Sequence, residues 1–165
     1  YEAFQKIGKT EVDLVINLQG DEPLINLEDI KNLHNLMTQS ESEIGTLASE
    51  INDKKLYKNQ NVVKVLTKES LSISKFSEAK NFMRTLDKNN ENIYHHLGIY
   101  CYRIETLRNF VSLKQTQNEI NNRLEQLRAL DNNININVKL TNHKPMGVDT
   151  YEDYMAIKKI LEYKN

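Results

Sequence analysis

Two aspartates in this sequence stand where a carboxylate could bind a metal ion. Asp21 lies in the stretch QGDEP, immediately after an apolar run of strand length, and Asp149 directly precedes Thr150 at the predicted start of the last helix. Ligands of open parallel sheets collect beyond the carboxyl ends of the strands. Mg²⁺ prefers oxygen ligands and commonly takes one or two protein carboxylates together with substrate phosphates. The two aspartates therefore indicate a magnesium site for a phosphorylated substrate.

Each aspartate also has a purely structural explanation. Asp21 could make an Asx turn in the segment that contains Gly20 and Pro23. Asp149 could simply place negative charge at a helix N-terminus. The position in the sequence leaves both explanations open beside the metal site, and it assigns no role to Glu22.

Other polar residues have ordinary structural explanations. A histidine beside apolar residues, such as His96, is more often a satisfied buried side chain than a catalyst. Glu125 and Arg128 are three residues apart on a predicted helix, where they would form a solvated ion pair. Cys101 would be a small buried hydrophobe. The sequence contains no CxxC motif, P-loop or GxGxxG motif.

The composition excludes several functional classes. The 165 residues include 22 basic and 23 acidic side chains, and the net charge of −1 gives no sign of a nucleic-acid partner. No apolar run approaches the roughly 18 residues of a membrane span, and the start shows no signal-peptide pattern. A single cysteine agrees with a reducing cytoplasm. We therefore expect a cytoplasmic protein with neither a membrane nor a nucleic-acid partner.

The apolar periodicity alternates between strand and helix along the chain. Strands are predicted at 13–18, 44–50, 61–66, 95–103 and 136–140, and helices at 27–37, 104–111, 118–132 and 148–163. This alternation predicts an α/β layered domain with a mostly parallel sheet. Residues 70–92 are polar and irregular, which predicts an arm or loop outside the main core.

Local patterns place some candidate residues on these elements. The alternation in 95–103 puts His96 and Tyr100 on the same face of a strand. Thr150 and Asp153 have the spacing of an N-cap and a variant capping box for the last helix. The residues alone thus predict an α/β domain that uses Mg²⁺ on a phosphorylated substrate.

Five blocks of sequence, in order along the chain, resemble the 3-deoxy-manno-octulosonate cytidylyltransferase (CMP-Kdo synthetase) family. They are NLQGDEPLI (17–25), NVVKV (61–65), HHLGIYCYR (95–103), FVSLKQTQNEINNRLEQLRAL (110–130) and GVDTYEDY (147–154). The combination of QGDEP, HxGxY and LEQLR separates this family from the synthetases for CMP-sialic acid. The resemblance implies an α/β, Rossmann-like three-layer nucleotidyltransferase fold with a mostly parallel mixed sheet, and a homodimer.

The resemblance also implies a reaction and the residues that serve it. The anomeric hydroxyl of 3-deoxy-manno-octulosonate (Kdo) would attack the α-phosphate of CTP, giving CMP-Kdo for lipopolysaccharide biosynthesis and pyrophosphate. Mg²⁺ would lie on Asp21 and Asp149, the catalytic carboxylates. The implied Kdo pocket consists of Gln19, His96, Tyr100, Glu125 and Gln126. Gly20 and Gly98 would let the backbone and the ligand approach closely. Amide, imidazole, phenol and carboxylate groups all hydrogen-bond sugar hydroxyls.

The sequence departs from the family pattern in three places. The family's opening strand, its basic loop and the following turn, which hold CTP, have no counterpart. Residues 1–165 are therefore expected to form roughly the C-terminal two-thirds of one nucleotidyltransferase domain, inactive by itself. Residues 70–92 lack the YFSRSPIP-like stretch, and Asn122 stands where an acidic residue is common.

Two other functions stay open at this point. A nucleotidyltransferase for a related sugar acid, such as 8-amino-Kdo, would fit if the divergent 70–92 segment borders the pocket. A non-catalytic relative would keep the sugar pocket and do no chemistry. The presence of Asp21, His96, Glu125 and Asp149 favours an enzyme over that second alternative.

Overall fold

The computed structural model describes residues 1–8, 11–86, 91–143, 147–148 and 150–163. In these ranges the elements are α1 (Glu2–Ile7), β1 (Leu14–Asn17), α2 (Leu27–Thr38), β2 (Ile44–Ser49), a 3₁₀ turn (Lys54–Tyr57), β3 (Lys64–Thr67), β4 (Ser77–Met83), β5 (Ile93–Arg103), α3 (Ile104–Ser112), α4 (Gln117–Asn122), α5 (Gln126–Asp131), β6 (Ile136–Leu140) and α6 (Tyr151–Glu162). The predicted strands are all present. The predicted capping box of Thr150 and Asp153 opens α6. Among the described helices none has the length and apolar character needed to cross a membrane.

The strands form one mixed sheet in the order β1-β5-β2-β6-β4-β3, in which β3 also pairs with β5. The pairing of β2 with β6 is parallel, and the other pairings between described strands are antiparallel. The α/β class and the mixed sheet are confirmed, but the prediction of a mostly parallel sheet is wrong for these pairings. A short apolar run predicts a buried strand but not the direction of its partners. The sequence pattern therefore could not show that β5 is antiparallel to its three neighbours.

Helices cover both faces of the sheet and make the fold three-layered. On one face, α2 places Leu33 and Met37 against Leu47 and Ile99. The other face is covered by apolar residues of α3 and α5 and of the segment between α4 and α5, namely Phe110, Leu124, Leu127 and Ala129. Strand β5 contributes to both clusters because successive side chains of a strand point to opposite faces.

The described part of the segment 70–92 does not form an arm outside the core. Strand β4 pairs with β3 and β6 in the sheet, and its side chains Ala79 and Phe82 are buried in the main cluster. A bulge explains why the sequence looked irregular: Leu66 pairs with Asn81 and Thr67 with Ala79, so Lys80 is skipped. The extra residue shifts the buried positions out of period two and hides the strand.

The helix predicted over 118–132 is two short helices, α4 and α5. Arg123 ends α4 in the left-handed conformation, with φ 53°, and Glu125 is the N-cap of α5. Leu124 and Leu127 are buried on either side of this break, whereas Ile120 is half exposed. Because leucines at helical spacing continue across the break, the periodicity could not locate it.

A buried ion pair joins α4 to α5. Arg128 donates from Nε and Nη2 to the two carboxylate oxygens of Glu119 at 2.8 and 2.5 Å, and these side chains are 10% and 5% exposed. The guanidinium lies 4.9 Å from the centre of the Phe110 ring and holds the pKa of Glu119 below its usual range. The solvated pair predicted between Arg128 and Glu125 is only a secondary contact at 3.3 Å, because Arg128 turns inward.

We expect Arg128→Met to lower the free energy of unfolding by about 3–5 kcal/mol, because it leaves the Glu119 carboxylate buried and unpaired. Urea denaturation of the variant and the parent protein measures the difference. The matched control is Arg108→Met, which removes an exposed partner of Glu105 and should change the same quantity by no more than about 0.5 kcal/mol. Equal losses in the two variants would contradict the assigned role of the buried pair.

Candidate active site

A cavity of about 860 Å³ opens beyond the carboxyl ends of β1 and β2. Seven of the residues predicted for the site line it, namely Gln19, Asp21, His96, Gly98, Tyr100, Glu125 and Gln126. Gly20 is not on the wall, and, its two chain neighbours aside, no described residue has an atom within 4 Å of the position where its Cβ would be. Asp149 lies outside the described residues. The fold therefore brings most of the predicted site together from three separate segments, while the roles of these residues stay predictions.

Gly98 admits the side chain of Gln19 to the cavity wall. The register of β5 against β2 shifts here: Thr46 pairs with Tyr100 and Leu47 with Leu97, so two residues of β5 bulge. A Cβ on Gly98 would lie 2.6 Å from Oε1 of Gln19, closer than real Cβ atoms come to such an atom. The close approach that the sequence predicted at Gly98 is thus made by a neighbouring side chain of the protein.

The imidazole of His96 is buried in the wall beside a second histidine. Its Nε2 lies 2.9 Å from Oγ1 of Thr46. Burial, with a smaller effect of His95, lowers the pKa of His96 to about 3. Burial and the nearby Lys64 lower the pKa of His95 to about 4. Both rings are therefore uncharged at neutral pH and offer one donor and one acceptor each.

Tyr100 lies on the same face as His96, as the alternation predicted, and the two ring centres are 5.4 Å apart. Tyr102 stacks on Tyr100 with a centre-to-centre distance of 5.8 Å. Burial raises the pKa of Tyr100 well above its usual value, and Tyr102 and Glu125 add to the effect. The phenol consequently keeps its proton and can donate to a ligand oxygen.

Arg84 holds the turn that presents Glu125 to the cavity. It donates to the backbone carbonyls of Asn122 and Arg123 at 3.2 and 3.1 Å, and to that of Gln60 at 3.0 Å. The first two carbonyls belong to the C-terminal end of α4, where a cation is favourable. Arg84 therefore ties the end of β4 to both sides of the cavity mouth.

Asp21 lies in the exposed turn that follows β1. Its backbone carbonyl accepts a hydrogen bond from the backbone nitrogen of Val148 at 2.9 Å, which fixes the segment at 147–148 beside it. Since Asp149 is outside the described residues, the pairing of the two aspartates stays a prediction. The described residues contain no group of three or more histidine, cysteine, aspartate or glutamate side chains placed to hold a metal ion.

The described part of the cavity wall is acidic, with six carboxylates and one arginine. The carboxylates are those of Asp21, Glu22, Glu50, Asp53, Glu125 and Asp153. An anionic ligand would be repelled by such a wall unless a cation accompanied it. Carboxylate oxygens are the ligands that Mg²⁺ prefers, so the chemistry of the wall fits the predicted ion.

Comparison with known proteins shows the family to which the chain belongs. Residues 1–138 match the profile of the family described as Cytidylyltransferase. The chain belongs to the cytidylyltransferase family. The match covers both the segment after β1 and strand β5, which carry most of the predicted site.

Curated relatives define the likeness more closely. The chain is 42% identical to the 3-deoxy-manno-octulosonate cytidylyltransferase of Thermodesulfovibrio yellowstonii, over 92% of the chain and 61% of the relative. It is 38% identical to the enzyme of that name from Bartonella tribocorum, over 98% of the chain and 66% of the relative. The chain thus spans less than about two-thirds of the length of these cytidylyltransferases.

Solved structures extend the likeness to three dimensions. A CMP:2-keto-3-deoxy-manno-octonic acid synthetase complexed with CTP superposes with a TM-score of 0.83 at 28% identity, over 99% of this chain and 67% of that one. The 4-diphosphocytidyl-2C-methyl-D-erythritol synthase of Anaerococcus prevotii superposes with a TM-score of 0.56 at 11% identity, over 97% and 64%. At 11% identity, this second likeness shows only that the two chains share a fold.

Sequence reasoning missed several residues of the wall. Glu50 and Asp53 follow β2 as Asp21 follows β1, so the strand-end rule that selected Asp21 would have found them. Arg84 and Tyr102 carried no such signal. Arg84 belonged to the segment taken for an arm, and Tyr102 looked like one more aromatic residue of a strand.

Two glycine-to-alanine variants should distinguish an effect on the cavity from an effect on the apolar core. Gly98→Ala should displace the flexible end of Gln19 and raise the KM for Kdo, the acceptor that the sequence resemblance predicts, about tenfold, with the melting temperature nearly unchanged. Gly45→Ala would place its Cβ 2.7 Å from the sulfur of Met37 and 3.0 Å from Leu33, so it should lower the melting temperature and leave that KM unchanged. Steady-state kinetics and thermal unfolding of both variants measure this. The opposite pattern would contradict the assigned role of Gly98.

Acid should destabilise the protein before its carboxylates titrate. The unfolded chain binds protons at His95 and His96 as the pH falls below 6.5, whereas the folded protein binds them only near 4 and 3. The free energy of unfolding should therefore fall from pH 6.5 downward, by up to about 1.4 kcal/mol per pH unit for each histidine. Below 4.5 the loss should steepen, because the folded-state pKa of Glu119 is lowered.

Urea midpoints at several pH values measure this effect. His95→Gln should reduce the slope below pH 6.5 by about half, since one of the two histidines with a lowered pKa is gone. The exposed His34 supplies the control, His34→Gln, which should leave that slope unchanged. A flat stability profile between pH 6.5 and 5 would refute the prediction.

Proposed function

We propose that the protein transfers the cytidylyl group of CTP to the anomeric hydroxyl of Kdo. The bond between the α-phosphorus and its bridging oxygen to the β-phosphate breaks, and a new bond joins that phosphorus to the anomeric oxygen. The hydroxyl loses its proton, and pyrophosphate leaves. The cavity of about 860 Å³ that gathers the predicted sugar-binding residues carries this proposal.

The described side chains suit a polyhydroxylated sugar acid. Gln19 and Gln126 can both donate and accept, the neutral His96 offers one acceptor or donor to the cavity, and the phenol of Tyr100 can donate. Glu125 can only accept while ionised. Such a set distinguishes positions on a sugar ring by hydrogen bonding, which a purely apolar wall cannot do.

Positioning and charge neutralisation are the main tasks of a protein that catalyses this kind of transfer. We assign Mg²⁺ to Asp21 and Asp149, and when bound it would neutralise phosphate charge and ease deprotonation of the attacking hydroxyl. The turn after β1 holds Asp21 at the cavity. The hydrogen bond from Val148 to the backbone of Asp21 keeps the segment that precedes Asp149 beside it.

The wider setting rests on the resemblance of the sequence to its family. We propose that the enzyme acts as a homodimer in the cytoplasm, where CTP is available, and that its product enters lipopolysaccharide biosynthesis. Light scattering of the purified protein measures the assembly state directly.

Pyrophosphate release tests the function with the protein expressed from its complete reading frame. We expect release only when CTP, Kdo and Mg²⁺ are all present, and we expect Kdo to be a better acceptor than 8-amino-Kdo or sialic acid. Asp21→Asn should lower kcat by about 100-fold or more, because a charged ligand of the proposed ion is lost.

The matched control is Asp13→Asn. Asp13 is exposed and lies just before β1, at its other end from Asp21, so its kcat should equal that of the parent protein. Calorimetric binding of Kdo with no pyrophosphate release would identify a sugar-binding protein instead of an enzyme. Normal turnover by Asp21→Asn would remove Asp21 from the proposed metal site.

A further inference from the structure

The bulge in β5 is filled by the side chain of Thr46, which is completely buried. Oγ1 of Thr46 lies 2.6 Å from the carbonyl oxygen of Ile99 and 3.3 Å from that of Leu97. A hydroxyl has a single hydrogen. The short distance to Ile99 identifies the acceptor, because two oxygens at 2.6 Å repel each other unless a hydrogen lies between them.

This contact decides the direction of the hydrogen bond between Thr46 and His96. Nε2 of His96 lies 2.9 Å from Oγ1 of Thr46. The hydroxyl has already given its hydrogen to Ile99, so it can only accept from the ring. The hydrogen of the neutral imidazole therefore lies on Nε2, and Nδ1 keeps a free lone pair.

The lone pair on Nδ1 accepts no hydrogen bond from the described residues. Within the described residues, His96 makes one side-chain hydrogen bond, the one to Thr46. Every fully buried side-chain nitrogen or oxygen in the same ranges has a hydrogen-bond partner, so Nδ1 is not sealed inside the protein. Since His96 is one of the residues that line the cavity, Nδ1 is the ring nitrogen left for a ligand.

We propose that Thr46 is a positioning residue that fixes the Nε2–H tautomer of His96, so that this part of the wall accepts a hydrogen bond from a hydroxyl of the sugar substrate. The proposal deepens the proposed function and rests on it. It makes Nδ1 of His96 the acceptor and the ligand the donor of this hydrogen bond. A sugar hydroxyl can donate to Nδ1, whereas a carbonyl or carboxylate oxygen has no hydrogen to donate and its lone pair would be repelled. Specificity of this kind arises because a mismatched group leaves a buried polar atom without a partner.

The first experiment reads the tautomer without any turnover. Long-range ¹H–¹⁵N correlation spectra of the complete protein at pH 7 distinguish a ring nitrogen that carries hydrogen from one that does not. The chain has four histidines, and the signal that disappears in His96→Gln belongs to His96. We expect hydrogen on Nε2 and none on Nδ1, and the reverse assignment would overturn the proposal.

The second experiment compares two substitutions of nearly the same size. Thr46→Val keeps the branched shape but can neither donate to Ile99 nor accept from His96, and Thr46→Ser keeps the hydroxyl. In Thr46→Val we expect both tautomers in the spectrum and a KM for Kdo about tenfold higher, with kcat and the KM for CTP within about threefold of the parent values. Thr46→Ser should restore the parent spectrum and KM.

Thermal unfolding and circular dichroism show whether Thr46→Val is folded. If it is unfolded, the spectrum of the parent protein and the kinetics of Thr46→Ser still decide. A folded Thr46→Val with the parent tautomer and the parent KM for Kdo would overturn the positioning role. A parent spectrum with hydrogen on Nε2 combined with no turnover of CTP and Kdo would support that role and overturn the proposed function.

Discussion

Strand β5 is the constraint on which the rest of this structure depends. Its eleven residues pair with β1, β2 and β3, and its alternating side chains enter the apolar clusters on both faces of the sheet. The same strand carries His96, Gly98 and Tyr100 into the cavity. Because its backbone is held on both edges, these residues have little freedom to move relative to one another, which is what a binding site requires.

Two kinds of polar group meet across the cavity. On the β5 side, burial keeps His96 neutral and Tyr100 protonated, so that these two side chains offer the cavity hydrogen-bonding groups without net charge. The turns after β1 and β2 contribute carboxylates instead. This separation suits a substrate whose hydroxyl groups face one side, while its anionic groups require a cation at the other.

Polar contacts between segments of the protein set the shape of the cavity. The pair of Glu119 and Arg128 fixes α4 against α5, and Arg84 clamps the left-handed turn at Arg123 between them. This turn presents Glu125 and Gln126 to the cavity. The ion pair is effective because its side chains are buried, so breaking it is costly, whereas the same pair in solvent would contribute little.

The sequence by itself determined the α/β class, the places of all predicted strands, the capping box of α6 and seven residues of the cavity wall, since apolar periodicity and short motifs are local properties of the chain. Only the tertiary structure decided that β5 runs antiparallel to its neighbours, that β4 belongs to the core, and that Arg128 pairs with Glu119. Likewise, only the fold placed Thr46 against His96, fifty residues away along the chain. Strand direction, bulges and buried partners depend on which distant segments meet, and the local pattern of one segment carries no information about that.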